Sequence, residues 1–173
     1  KKRRIHSIPY KLIILILGLG KMEIMKTSIK AILNNIVDAE QYLDKDAINS
    51  FEDTIIAANN IFVTGAGRSG LAAKAFAMRL MHLGLSAYVV GETISPAIYA
   101  DDCIVAISGS GETNTIVSAA NIAKNRGSKV LALTSYPEST LGQLADCFIL
   151  VKGRTKKEVD DENYMKRQIH GNY

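Results

Sequence analysis

The spacing of apolar positions along the chain changes rhythm once, at about Asn60. Before it, Ile29, Ile32, Leu33, Ile36 and Val37 recur at i, i+3, i+4, i+7 and i+8, the stripe of an amphipathic helix that must pack one face on something. A second helix is predicted with Ile48, Phe51, Ile55 and Ala58 on its apolar face, capped by Asp44 or Asp46 and ending near Asn59-Asn60. Both helices read as packing elements. After Asn60 the texture becomes short β-branched runs, at 61–64, 87–90, 104–108, 130–134 and 148–151. They alternate with helix-compatible stretches at 69–83, 112–125 and, briefly, 139–145. Continuous apolar runs of this kind suit parallel strands buried on both faces. Gly84 and Gly127 stand where two of the helices should stop. The alternation predicts an α/β fold, a three-layer open parallel sheet with right-handed crossovers, preceded by N-terminal helices.

Such sheets bind ligands at the carboxyl ends of their strands, where the strand order reverses. The strand-to-helix turns are therefore where chemistry is sought. The first reads Gly65-Ala66-Gly67-Arg68-Ser69-Gly70, a complete G-x-G-x-x-G, and Glu92 follows 22 residues after Gly70. That is the spacing of a dinucleotide site, with Glu92 on the ribose, although any tight strand-to-helix turn favours small residues. The second turn is Ser108-Gly109-Ser110-Gly111-Glu112-Thr113. Glycines let a backbone approach an anion, a helix amino end presents unpaired N–H groups, and Ser108, Ser110 and Thr113 add hydroxyl donors. This is the composition of a cradle for one phosphate monoester; the competing reading is a capping loop with Ser110 as N-cap. No Gly-Lys-Ser/Thr follows, so it is not a P-loop. Thr134, Ser135, Ser139 and Thr140 surround the next turn, where they either order sugar hydroxyls or, in the case of Ser139, cap a short helix.

Length and composition bound these readings. With 173 residues, 47% hydrophobic and 22% charged, 13 Gly, 3 Pro and 2 Cys, the chain is an ordinary globular domain rather than a disordered, collagenous or disulfide-built one. The net charge of +4 is concentrated at one end: residues 1–21 hold Lys1, Lys2, Arg3, Arg4, Lys11 and Lys21 and no acid. The rest is slightly acidic, so no nucleic-acid partner is expected. The same stretch has the basic-then-apolar order of a signal peptide, but its apolar run is far below the roughly 20 residues that span a bilayer, and no Ala precedes Ala31. The simpler expectation is a tail, 1–24, upstream of a natural start at Met22 or Met25, followed by a single domain, 25–173; no membrane partner is expected. Cys103 and Cys147 begin strands and have no metal-type neighbours, so free thiols, no metal and a cytoplasmic location are expected.

The pair of turns, GAGRSG at 65–70 and SGSGET at 108–113, resembles the sugar isomerase (SIS) domain family. With Phe76 to Gly84, Val89-Val90-Gly91-Glu92-Thr93 and Ser95-Pro96-Ala97, the chain from about Met25 onward is similar to the 6-phospho-3-hexuloisomerases of that family. The resemblance implies a five-stranded sheet of flavodoxin-like order 2-1-3-4-5. It implies a phosphate loop at Ser108, Gly109, Ser110, Gly111 and Thr113, and sugar contacts at Gly67, Arg68 and Ser69. The implied reaction is a ketose isomerisation, arabino-3-hexulose 6-phosphate to fructose 6-phosphate through an enediol, without cofactor, in the ribulose monophosphate pathway of formaldehyde fixation. A phosphorylated ketohexose is then the ligand, a homotetramer the assembly, and a hexulose-phosphate synthase a possible partner. The family's proton-shuttling Glu lies in a segment resembling Pro-Leu-Gly-Thr-x-Phe-Glu after the fifth strand, and this sequence reaches Tyr173 before such a segment. A C-terminally truncated domain that lacks its principal base is therefore expected, with Glu92 and Glu112 as weaker candidates for that role. A sugar-phosphate sensing module and a dinucleotide domain are the alternatives.

Overall fold

The computed structural model describes residues 10–152, with side chains from residue 22 onward. Two helices come first, α1 (Tyr10–Glu40) and α2 (Lys45–Ala57). Then follow β1 (Ile61–Gly65), α3 (Arg68–His82), β2 (Ala87–Val89), β3 (Cys103–Ile107), α4 (Asn114–Asn125), β4 (Lys129–Thr134), α5 (Thr140–Leu144) and β5 (Cys147–Leu150). The five strands form one sheet in the order β2-β1-β3-β4-β5, all pairs parallel. Helix α1 crosses residue 24 without a break, so the tail boundary expected there does not coincide with a change of structure. Residues 1–9 and 153–173 lie outside the described residues, and with them His6 and His170.

The strand periodicity sorts the core into two layers. Ile61 and Val63 of β1, with Cys103 and Val105 of β3 and Leu131 of β4, face Phe51 and Ile55 of α2 and Ala73, Ala77 and Leu80 of α3. Their neighbours Phe62, Ile104, Ala106, Val130 and Ala132 face Ile116, Ala120 and Ala123 of α4 and Leu141 of α5. Every second residue thus belongs to the opposite layer, which is why the central strands read as unbroken apolar runs. The alanines on α3 and α4 let those helices lie close against the sheet. β2 and β5, at the edges, are only partly buried.

Caps fix the helix ends. The Asp44 carboxylate accepts the Ala47 amide at 2.8 Å and starts α2, which selects Asp44 over Asp46. After α3, Leu85 N–H bonds Leu80 C=O and Gly84 N–H bonds Met81 C=O. After α4, Ser128 N–H bonds Ala123 C=O and Gly127 N–H bonds Lys124 C=O. Both are the paired bonds of a left-handed glycine stop, as the sequence suggests for Gly84 and Gly127.

The amino ends of the strands are tied by one buried carboxylate. Asp102 accepts the Asn60 amide and side-chain Nδ2 on Oδ1 and the Tyr99 amide on Oδ2, while its carbonyl accepts from Ser128 Oγ and Lys129 N. One residue thereby joins the starts of β1, β3 and β4, and its charge is matched by donors rather than left bare. The adjacent Cys103 thiol is pushed up to about 12, first by burial and second by the Asp102 charge, so it is an inert packing group. Both cysteines are free.

Asp146 performs a similar task between β4 and β5. Burial pushes its carboxyl up, but the Val130 amide, the Lys124 hydrogen bond and the charges of Lys124 and Lys129 outweigh this and hold it below its ordinary value. A carboxyl lowered in the folded state contributes stability that is full above the unfolded value of 3.8 and is lost as pH falls through the folded value below it. Asp146→Asn is therefore expected to melt at lower temperature than the unmodified protein at pH 7, with the gap closing below about pH 4. A gap that stays constant from pH 7 to pH 3 would show that the carboxylate charge plays no part.

Candidate functional site

The switch point of the sheet lies between β1 and β3, because β2 sits outside β1 on one side while β4 and β5 continue from β3 on the other. In the ladder Gly65 is level with Ile107. The two glycine turns therefore leave the sheet side by side, on adjacent strands at the same height. Ser108 N–H also bonds Leu133 C=O and Ser135 N–H bonds Gly109 C=O, so the end of β4 borders the second turn.

The first turn is built by close contact. A Cβ on Gly65 would meet the Ser69 carbonyl oxygen at 2.5 Å, and one on Gly70 would meet the Gly65 carbonyl oxygen at 2.8 Å. These two glycines let α3 start directly against the end of β1. Gly67 is the N-cap of α3, with φ of +56°, and no side chain caps that helix. Arg68 is the first residue of α3 and is exposed, Ser69 is half-buried, and Arg68 makes no ion pair among the described residues.

The second turn differs from the expectation in detail. β3 ends at Ile107, so Ser108 opens the turn rather than closing the strand. α4 begins at Asn114 with Thr113 as N-cap, so Glu112 precedes the helix instead of lying in its first turn, and Ser110 is not the cap. Ser110 Oγ instead accepts the Glu112 amide at 3.3 Å. Ser108 is 3% exposed at the floor of the turn, and its Oγ lies 3.2 Å from Thr113 Oγ1, bringing two hydroxyls together below the half-buried Gly109 and Ser110. α4, like α3, has no side-chain cap. Among the other described helix starts, α2 is capped by Asp44 and α5 by Ser139. Side chains capable of capping are thus present in this fold, and the two helices that start at the switch point do without them.

The turn also leans on α5. Gly111 has φ of +65°, and a Cβ there would overlap Ser139 Oγ, so the backbone approach needs glycine twice over. Leu141 N–H bonds Gly111 C=O, and the Glu112 carboxylate accepts from Thr140 N at 3.0 Å and Thr140 Oγ1 at 2.8 Å. Sequence reasoning missed this link: Glu112 and Thr140 are 28 residues apart and share no motif. Ser139 is the N-cap of α5, accepting from Gly142 N and donating to the Tyr136 carbonyl. Thr134 is buried with its hydroxyl accepting from Tyr136 N, and Ser135 Oγ donates to the Val151 carbonyl. These side chains organise their own turn.

The remaining candidate, Glu92, stands apart. It lies in the turn after β2 and is paired with Lys74 on α3 at 3.0 Å. Cavities of about 310 and 280 Å³ flank β2, the first against Met78, Met81 and Ile94 and the second against Pro96, Ile98 and Ile122. Neither is lined by residues 65–70 or 108–113, which leave adjacent strands at the switch point, where open parallel sheets form their ligand crevice. Among the described residues no three His, Cys, Asp or Glu side chains gather as a metal site, and no helix is long and apolar enough to cross a membrane.

A family model, the SIS domain, matches residues 54–159, a span from within α2 through all five strands. The chain belongs to the SIS domain family. It is 41% identical over 136 residues to the 3-hexulose-6-phosphate isomerase of Bacillus subtilis, covering 78% of this chain and 74% of that protein. To the 3-hexulose-6-phosphate isomerase of Mycobacterium gastri it is 35% identical, over 83% of this chain and 71% of the relative. The crystal structure of a Methanococcus jannaschii protein, from which a function as 3-hexulose-6-phosphate isomerase was inferred, superposes with a TM-score of 0.68 at 33% identity, over 82% of this chain and 81% of that one. The strand order is thus that of an SIS domain, and both glycine turns lie within the residues that the family model matches.

Proposed function

We propose that the crevice between the two glycine turns binds a phosphorylated ketohexose, and that the chain acts in the isomerisation of 3-hexulose 6-phosphate to fructose 6-phosphate. One observation carries the binding claim: two neighbouring helices at the switch point start on glycine-rich turns without side-chain caps, while the other helices that carry N-caps use Asp or Ser. Their free amides and positive ends favour an anion. In this reading Ser110, Thr113 and the Gly109 amide hold the phosphate, Ser108 supports Thr113, Gly111 shapes the turn through its own bonds to Ser108 and Leu141, and Gly67, Arg68 and Ser69 meet the sugar. The identity to named 3-hexulose-6-phosphate isomerases supports the choice of substrate.

The reaction moves a carbonyl from C3 to C2. A base takes the C2 proton, the C2–C3 enediol forms, and a proton returns at C3, with no cofactor required. The phosphate is remote from these carbons, so its binding energy serves to position them. Neither weaker candidate is assigned as the base: Glu92 is engaged by Lys74, and Glu112 by Thr140.

The same reading includes a homo-oligomer, with a tetramer as the expected form, acting in the cytoplasm on substrate supplied by a hexulose-phosphate synthase. Two surfaces favour self-association. On α1, Met22, Ile24, Met25, Ile29, Ile32, Leu33, Ile36 and Val37 are all at least half exposed, and on α3 so are Leu71, Met78 and Met81. A contiguous apolar stripe on this scale is characteristic of a surface that is covered.

Isothermal titration of the chain with fructose 6-phosphate, fructose and NADH tests the ligand. Binding of the phosphate ester alone, abolished by Ser110→Ala/Thr113→Val, is the expected result; NADH binding without sugar-phosphate binding would overturn it. Conversion of 3-hexulose 6-phosphate separates an isomerase from a sensing module, which would bind without turnover. Sedimentation equilibrium is expected to report a tetramer, and a monomer at micromolar concentration would remove the oligomer from this account.

A further inference from the structure

Glu112 presents an electrostatic puzzle, because a carboxylate beside a phosphate cradle repels its ligand. Its geometry supplies the reason for its presence. The carboxylate receives two hydrogen bonds from one residue, Thr140, through backbone N at 3.0 Å and Oγ1 at 2.8 Å. The adjoining Gly111 carbonyl receives the Leu141 amide at 3.0 Å, and Gly111 lies against the Ser139 hydroxyl side chain. Three successive residues at the start of α5 thus hold two successive residues of the second glycine turn. The turn is also tied within itself and to β4, by Gly111 N to Ser108 C=O, Ser108 N to Leu133 C=O and Ser135 N to Gly109 C=O.

We infer that Glu112 is a positioning residue: its clasp on Thr140 fixes the 109–113 backbone in the phosphate-binding shape and turns its own charge toward donors of α5. This rests on the sugar-phosphate reading of the crevice and assigns Glu112 a role other than that of proton shuttle. A turn rich in glycine has many conformations open to it, and ordering them in advance removes that cost from binding. Two opposed effects then set the sign of a substitution. Loss of the carboxylate relieves repulsion and tightens binding if Glu112 is merely a nearby charge. Loss of the clasp weakens binding if Glu112 positions the turn.

The test is titration of fructose 6-phosphate into the full chain and into Glu112→Ala, Glu112→Gln, Thr140→Val and Glu112→Ala/Thr140→Val, each with its melting temperature. Glu112→Ala is expected to bind roughly 5- to 10-fold more weakly, in keeping with loss of charge-assisted hydrogen bonds. Glu112→Gln keeps an acceptor for Thr140 and drops the charge, so it is expected to bind at least as well as the unmodified chain. The Thr140→Val effect is expected to vanish in the Glu112→Ala background. Tightened or unchanged binding by Glu112→Ala, or full additivity of the two substitutions, would overturn the inference. Weak binding by Glu112→Ala and Glu112→Gln alike, with melting temperatures falling in step, would overturn it also, by reducing Glu112 to general stability. If the unmodified chain fails to bind fructose 6-phosphate, the underlying ligand assignment fails instead, so the two failures are distinct.

Discussion

Parallel pairing of β1 with β3 is the constraint from which the site follows. These strands are the most fully buried in the sheet, and their ladder runs from Ile61 opposite Cys103 to Gly65 opposite Ile107. Because β2 turns back to the outer side of β1, the helices that follow β1 and β3 pack on opposite faces, α3 with one core layer and α4 with the other. Their amino ends nevertheless begin next to each other, at adjacent strand ends. A ligand held there feels two helix amino ends at once, which is why the switch point is the favoured place for an anion.

The two ends of the sheet divide the work. At the amino ends, Asp102 and Asp146 satisfy backbone donors and join neighbouring strands, which gives a closed and rigid base. At the carboxyl ends the chain instead uses glycines, hydroxyls and helices without side-chain caps. Rigidity below and unsatisfied donors above are complementary, since a preformed cradle binds only as well as the scaffold holds it in place.

Much of this was legible in the sequence because the relevant signals are local. Buried parallel strands give continuous apolar runs, and all five lie where those runs fall, with ends displaced by one residue at most positions, as at Ile107 and Val89. Both glycine turns were legible for the same reason, since a tight strand-to-helix turn imposes small residues on consecutive positions. Helix α1 was legible only from Ile29, because earlier residues such as Leu12 to Leu17 form an apolar run without helical periodicity, and it starts at Tyr10. The distant partners of Asp102 and Glu112 were not legible: Asn60 and Thr140 lie 42 and 28 positions away, where chain folding rather than pattern decides the contact. The distinction between sugar and dinucleotide ligands lay outside the first turn altogether and depended on the second.

The central claim is that one sugar phosphate sits between the two glycine turns, with its phosphate in the second and its sugar against the first. An amide-resolved nuclear magnetic resonance titration with fructose 6-phosphate addresses it directly. The account predicts that the amides of 67–69 and 109–114 move together, with one saturation curve, while those at the amino ends of the strands near Asp102 stay in place. Saturable shifts confined to the cavities beside β2, around Met78 and Ile98, with the two turns unaffected, would contradict it.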